Sequence, residues 1–360
     1  MANLDATTWN DLQTTEGVAE DRRYPLGLVN GVKRATQGIG SYLLPSTIQA
    51  LQTMSGARGQ KIPVIKDGVP TVRMSASFDV PPNLLESDNY GFVAVDIFSG
   101  FRIYPTMFEN NQIDKENYQR TIMDRVAYHM GKTKESILAA KLEELKTQVL
   151  DYTAQSSQNT GTYSFTGSDV LEIDKAAQKD AMYFHLNSLM EANDLGGNYN
   201  LVTSPNGIIA SDVEAAKFGA NNSENIQWNQ TLLPMDRRHY SKEISVGSDV
   251  FNGWFFRDGA IGTVSNFPAD FRGETVVGEK RWSVSDMELP YLKSRCNIYT
   301  NREATEATSI VKGGSPVDTN LVMSHFEEMA IWDRFYIVYP YNSDRATRPS
   351  DVVKVKGLTS

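Results

Sequence analysis

The sequence of 360 residues is long enough for one large or two ordinary domains, and its 40% hydrophobic and 22% charged content excludes a disordered chain. A formal net charge of -9 argues against a dedicated nucleic-acid reader, which carries a basic excess, but not against a protein that merely encloses nucleic acid. The single cysteine, Cys296, excludes an intrachain disulfide and reads as a small buried hydrophobe.

Residues 1 to about 50 have the character of an arm. Trp9, Leu12 and Val18 are scattered among Asp, Thr and Glu, and Gly27, Gly31, Gly38 and Gly40 punctuate the segment up to Pro45. Met1 to Glu20 holds no basic run followed by an apolar one, so no secretory signal is expected. Ser46 to Met54 predicts a short helix. Such a stretch buries little by itself and is expected to need another surface to order it.

Residues 55–105 read as extended. Ile62–Ile65 and Val69–Met74 flank Lys66, Asp67 and Gly68, and Asp-Gly between two β-prone runs predicts a hairpin. Gly91–Tyr104 is a long β-prone return that stops at Pro105. A two-stranded ribbon of this kind is marginal alone in water, so something else must cover it.

Asp114–Tyr152 predicts one long helix with Asp114 as the candidate N-cap. Tyr118, Ile122, Val126 and Met130 recur every fourth residue, and Leu138, Leu142, Leu145 and Val149 continue an apolar stripe. Lys134, Glu135, Lys141, Glu143, Glu144 and Lys146 lie between the stripes and are expected on a solvated or partner-facing surface. Gly131 is the expected point of bending or splitting.

Beyond the long helix, Tyr163 and Phe165 are β-prone, Asp174–Asp194 and Ile208–Phe218 predict helices, and Tyr199–Thr203 predicts a strand between them. Val250–Arg257 and Ala260–Ser265 around Asp258-Gly259 predict another hairpin. Arg281–Leu289, Arg295–Thr300 and Leu321–Tyr341 read as strands, Glu303–Asp318 as a loop, and the residues beyond Asn342 as a loosely held polar tail. The whole is α+β. No run approaches the ~18 apolar residues of a membrane helix.

A search for chemistry returns nothing. There is no phosphate loop, no dinucleotide fingerprint and no nucleophile elbow. The histidines, His129, His185, His239 and His325, lie far apart in sequence, and no metal site is expected from them. Adjacent residues in a helix or strand point apart, so neither Glu143-Glu144 nor Glu327-Glu328 forms a carboxylate pair sharing one site. Arg22-Arg23 and Arg237-Arg238 read as surface ion pairs, and Trp9, Trp228, Trp254, Trp282 and Trp332 form no stacking stripe. Neither a catalytic residue nor a cofactor site is expected.

The order of these parts resembles the major capsid proteins of tailed bacteriophages, which share the Johnson fold, also called the Hong Kong phage capsid fold. In that resemblance residues 1–54 correspond to the N-terminal arm and 55–105 to the extended loop, tipped at Lys66, Asp67 and Gly68. Residues 106–173 hold the spine helix and the first part of the peripheral domain, 174–290 the axial domain, and 291–360 the closing peripheral strands and tail. Leu201-Val202-Thr203-Ser204-Pro205 falls in the axial domain, and Arg257–Val264 resembles a stretch near its end.

The resemblance implies a shell subunit of hexamers and pentamers enclosing double-stranded DNA, in a virion capsid assembled in the host cytoplasm. Its implied partners are copies of itself, a separate scaffolding protein, a portal, decoration proteins and DNA held without sequence preference, with no membrane. It also implies that the tip at Lys66, Asp67 and Gly68 rests on a neighbouring subunit. An encapsulin-like compartment shares the fold. An α+β hydrolase or binding protein is the reading from a different class.

Overall fold

The computed structural model describes residues 26–53, 63–65, 87–104, 112–150, 163–166, 169–175, 186, 189–193, 195–207, 237–266, 273–277, 280–289, 291–311, 319–340 and 350–359. In chain order these form α1 (Gly27–Tyr42), α2 (Pro45–Thr53), β1 (Pro63–Ile65), β2 (Ser87–Ile103), α3 (Gln112–Leu145), β3 (Tyr163–Thr166), β4 (Val170–Ile173), β5 (Tyr199–Thr203), β6 (Arg238–Tyr240) and β7 (Phe251–Arg257). They continue with β8 (Gly262–Ser265), β9 (Gly273–Val277), β10 (Lys280–Leu289), β11 (Ser294–Val311), β12 (Thr319–Pro340) and β13 (Val352–Gly357).

The fold class is α+β. A seven-stranded sheet runs β1-β2-β12-β11-β10-β9, with β8 also pairing β12, and a six-stranded sheet runs β3-β4-β13-β7-β5-β6. The main core joins residues of α1 and α3 to Ile331, Phe335 and Ile337 of β12 and to Trp254 and Phe256 of β7, so it draws on both sheets. The opposite face of the six-stranded sheet has its own core around Leu171, Leu201, Phe255 and Val355.

The 34-residue α3 is the longest helix among the described residues. It spans about 50 Å at 1.5 Å per residue. Its buried positions, Met123, Ala127, Met130, Leu138, Leu142 and Leu145, follow a helical period. In the first half the line runs one residue later than the expected stripe, leaving Ile122 and Val126 half-buried. The helix begins at Gln112, which puts Asp114 inside its first turn rather than at the cap. It ends at Leu145, short of Tyr152, because the chain turns to bond elsewhere: Thr147 N–H donates to Val352 O at 2.8 Å and the Ser350 hydroxyl to Leu145 O at 2.9 Å.

Gly131 does not break the helix. A Cβ there would lie 2.3 Å from Leu26 Cδ1 and 3.2 Å from the Tyr291 carbonyl, so glycine serves close approach, not bending. Lys134, Glu135 and Lys141, expected on an exposed surface, are buried, and each has a specific polar or aromatic partner.

Four further expectations are corrected. The glycine-rich segment is the helix α1, and its Leu28, Val29, Val32, Ala35 and Ile39 are buried in the chain's own cores. At roughly 1.5–3 kcal/mol for each fully buried Leu, Val or Ile, this segment does not wait for another subunit. Its glycines allow backbone contact: a Cβ on Gly27 would sit 2.0 Å from the Tyr240 carbonyl oxygen. The Asp258-Gly259 turn is present, but β7 and β8 do not pair. β7 lies between β13 and β5, and β8 joins β12, so the turn carries the chain from one sheet to the other.

The expected loop at 303–318 is a strand as far as Val311, since Thr305, Thr308, Ile310 and Val311 are β-prone and 304–311 pairs with 319–326. The expected polar tail contains β13, which occupies the middle of the six-stranded sheet with Val352, Val353 and Val355 buried. The other expected strands, around Tyr163 and Phe165 and at 199–203, 281–289, 295–300 and 321–341, are present as β3, β5, β10, the first part of β11 and β12. Of the expected helix at 174–194 the described residues 186 and 189–192 are helical, and of that at 208–218 none is described.

Candidate assembly surfaces

The chemistry-bearing residues are bound up in structure. Lys134 reaches into the seven-stranded sheet, where its Nζ donates to Leu292 O at 2.8 Å, Ser294 Oγ at 3.1 Å and Asp333 Oδ2 at 3.2 Å, above the Phe335 ring. Ser294 Oγ donates to the other Asp333 oxygen at 2.8 Å. Beside it, Cys296 is fully buried, and burial holds its thiol well above the ordinary range, so it is a poor nucleophile.

The two glutamate doublets diverge as the element geometry requires. Burial pushes the Glu143 carboxyl up, but hydrogen bonds from Lys354 at 2.7 Å and Lys146 at 2.9 Å outweigh this and leave it lowered. Glu144 instead takes Lys141 at 2.9 Å. Glu328 accepts from Arg102 at 3.0 Å across the sheet. Arg237 pairs with Asp258 at 2.9 Å. Among the described residues no three His, Cys, Asp or Glu side chains are grouped to hold a metal ion.

What the fold leaves open is strand. The 18-residue β11 and the 22-residue β12 outrun their neighbours. β10 accompanies β11 only as far as Thr300, and β2 accompanies β12 only from Glu327 onward. Beyond those points eight residue pairs, Ala304↔Phe326 to Val311↔Thr319, make a ribbon whose strands pair only with each other among the described residues. The ribbon extends about 27 Å at 3.4 Å per residue. At the opposite end of the sheet, β2 runs past the end of β12, and Ser87–Asn89 pairs with β1. Lys66, Asp67 and Gly68, the expected tip, follow β1 and lie outside the described residues, as do Val69–Met74.

The face of the seven-stranded sheet turned away from α3 carries a further feature. Trp282, Tyr299 and Trp332 come from three strands, with ring centroids 6.4 Å and 6.1 Å apart in succession. Phe98 stands opposite Trp332 in register and is 68% exposed. Sequence spacing gave no sign of this row, because the pairing of β2, β12, β11 and β10 assembles it from residues far apart in the chain. Trp9 and Trp228 lie outside the described residues, and Trp254 is core.

No family model and no curated protein matches this sequence. Solved structures are similar at low identity. One from Mycobacterium phage Cain is 10% identical, with 100% of each chain covered and a TM-score of 0.44. The capsid of Ralstonia phage GP4 is 10% identical over 86% of each chain, with a TM-score of 0.41. The holo-SrpI encapsulin complex from Synechococcus elongatus PCC 7942 is 10% identical over 88% of each chain, with a TM-score of 0.33.

Proposed function

We propose that this chain is a self-assembling shell subunit with a structural rather than catalytic role: a tailed-phage major capsid protein of the Johnson type. The observation that carries this reading is the pair of two-stranded extensions at opposite ends of the seven-stranded sheet. An isolated two-stranded ribbon is marginally stable in water, so each extension is best accounted for by a surface on another molecule. Contacts between an extension and a different patch of the next copy are heterologous, and such contacts close into rings when the rotation permits. Hexamers and pentamers around a DNA genome follow from this reading, as do a separate scaffolding protein, a portal, decoration proteins and assembly in the host cytoplasm.

The proposed parts are an arm through residue 54, an extended loop at 55–105 whose tip at Lys66, Asp67 and Gly68 touches a neighbour, a spine helix with the first peripheral segment at 106–173, an axial domain at 174–290, and closing strands at 291–360. The last part of the arm, α1 and α2, docks on its own subunit.

Purified protein at micromolar concentration is expected to form shells, rings or tubes in negative-stain micrographs. Each subunit should bury well over the ~1,600 Å² of a standard interface. A monodisperse monomer by light scattering across that range would count against the reading. Packaged double-stranded DNA, rather than a protein cargo, would separate a virion capsid from an encapsulin-like compartment.

Contact with DNA is expected to be weak and non-specific, in keeping with the net charge of -9. Filter binding of a short duplex should show affinity that falls with salt and does not depend on sequence. A salt-resistant, sequence-specific complex would contradict it.

A further inference from the structure

Glu135 lies at a three-way junction. It is fully buried on α3, next in sequence to Lys134, which serves the other sheet. One carboxylate oxygen accepts the backbone N–H of Leu28 at 2.8 Å, in the first turn of α1, and Val29 N–H also hydrogen-bonds the group. The other oxygen is hydrogen-bonded to the Ser241 hydroxyl, in the segment directly after β6. The same hydroxyl accepts the Glu243 N–H at 3.2 Å. α1 has no acidic residue of its own in its first turn, so Glu135 supplies the acceptors that its open N–H groups require.

No cation completes the junction among the described residues. The charged and titratable side chains that the three joined segments carry near it are Lys33 and Arg34 on α1, Lys132 and Lys134 on α3, Arg238, His239 and Tyr240 on β6, and Lys242 and Glu243 after it. Lys132 is paired with Glu243 at 3.2 Å and Lys134 with Asp333. A carboxylate buried without a counter-charge is costly when ionised; the neutral carboxyl avoids that cost, keeps one oxygen as acceptor for the N–H groups of α1 and turns its own O–H to the Ser241 hydroxyl, which then accepts.

We propose that Glu135 is a proton-operated latch joining α3, the start of α1 and the segment after β6: neutral, it holds the three together, and ionised, it favours release of the first turns of α1. Burial is the main reason its pKa is pushed up from 4.5 to about 7, with the Glu243 charge pushing the same way and the hydrogen bonds from Ser241, Leu28 and Val29 opposing. Once α1 lifts and water reaches the group, the ordinary value returns. The latch is therefore fully closed below about 4.5, weakens as pH rises, and has lost its contribution above about 7, a change of up to about 300-fold in the opening equilibrium.

Hydrogen exchange of the unassembled subunit, corrected for the intrinsic pH dependence of exchange, tests this without reference to shell formation. Protection of the amides of 28–32 is expected to fall by up to about 150-fold between pH 4.5 and 8, while amides of Phe335–Ile337 in β12 change far less. Glu135→Gln should remove that fall, and Glu243→Gln, at a partly exposed position, should move its midpoint to lower pH. Equal corrected protection at both pH values in the wild type would overturn the proposal, as would an undiminished fall in Glu135→Gln. Because wild-type protein alone gives the primary result, a variant that fails to fold does not remove the test.

Discussion

Asp333→Ala is expected to destabilise the subunit by about 3–5 kcal/mol, the cost typical of breaking a buried ion pair from one side. Asp333 and Lys134 are both almost completely buried, 3.2 Å apart. Removing the carboxylate leaves the ammonium with Leu292 O and Ser294 Oγ as dipolar partners and no counter-charge. Ser294 also loses the acceptor for its own proton. The double replacement Lys134→Met with Asp333→Val removes both charges with little change in total side-chain volume and should recover much of the loss, because apolar pairs often replace buried ion pairs without penalty. Urea unfolding of the unassembled subunit gives both numbers. A single variant within about 1 kcal/mol of wild type would show that water or a local shift satisfies Lys134 there.

That pair also shows where sequence reading stops. Lys134 and Glu135 fall in a helix of good helix formers, and a helical charge run ordinarily faces solvent. Their burial depends on Asp333, Ser294, Leu28 and Ser241, which are between 106 and 199 residues away along the chain. No local period carries that information. The long helix was legible because its apolar positions repeat, and β12 was legible because Phe335 to Tyr339 form a dense β-prone run.

α1 was misread for a definite reason. Glycine lowers intrinsic helix propensity, and only tertiary contact reveals that Gly27 and Gly131 are sites of close approach. β13 was misread because Val352, Val353 and Val355 sit among polar residues near the end of the sequence, and their neighbours in space, β4 and β7, come from much earlier in the chain. Asp258-Gly259 illustrates the limit of turn chemistry. The dipeptide marks a reversal correctly, but which sheet each flanking strand joins is decided by β12, β13 and β5. Of the candidate surfaces, the projecting strand pair was partly visible as β-prone sequence, whereas the row of Trp282, Tyr299 and Trp332 exists only once the strands are in register.

Trimming the β11–β12 ribbon should separate folding from assembly. The ribbon beyond Ala304 and Phe326 draws no strand from the rest of the sheet among the described residues. Replacing Thr305–His325 with Asn-Gly keeps the Ala304↔Phe326 pair and closes it with a two-residue turn of the kind that right-handed strand twist favours. Cores built from α1, α3, β7 and the inner half of β12 are untouched, so the circular dichroism spectrum and the urea midpoint of the subunit should stay close to wild type. Shell formation, read by sedimentation and negative-stain microscopy, should be abolished, since one weakened contact is repeated at every subunit. Deleting Ile65 to Val69, which removes Lys66, Asp67 and Gly68, tests the other extension in the same way. If either variant closes normal shells at wild-type yield, that extension has no part in assembly. If both do, the self-association proposed for this chain must lie elsewhere, and the exposed Phe98 beside Trp332 becomes the next surface to alter.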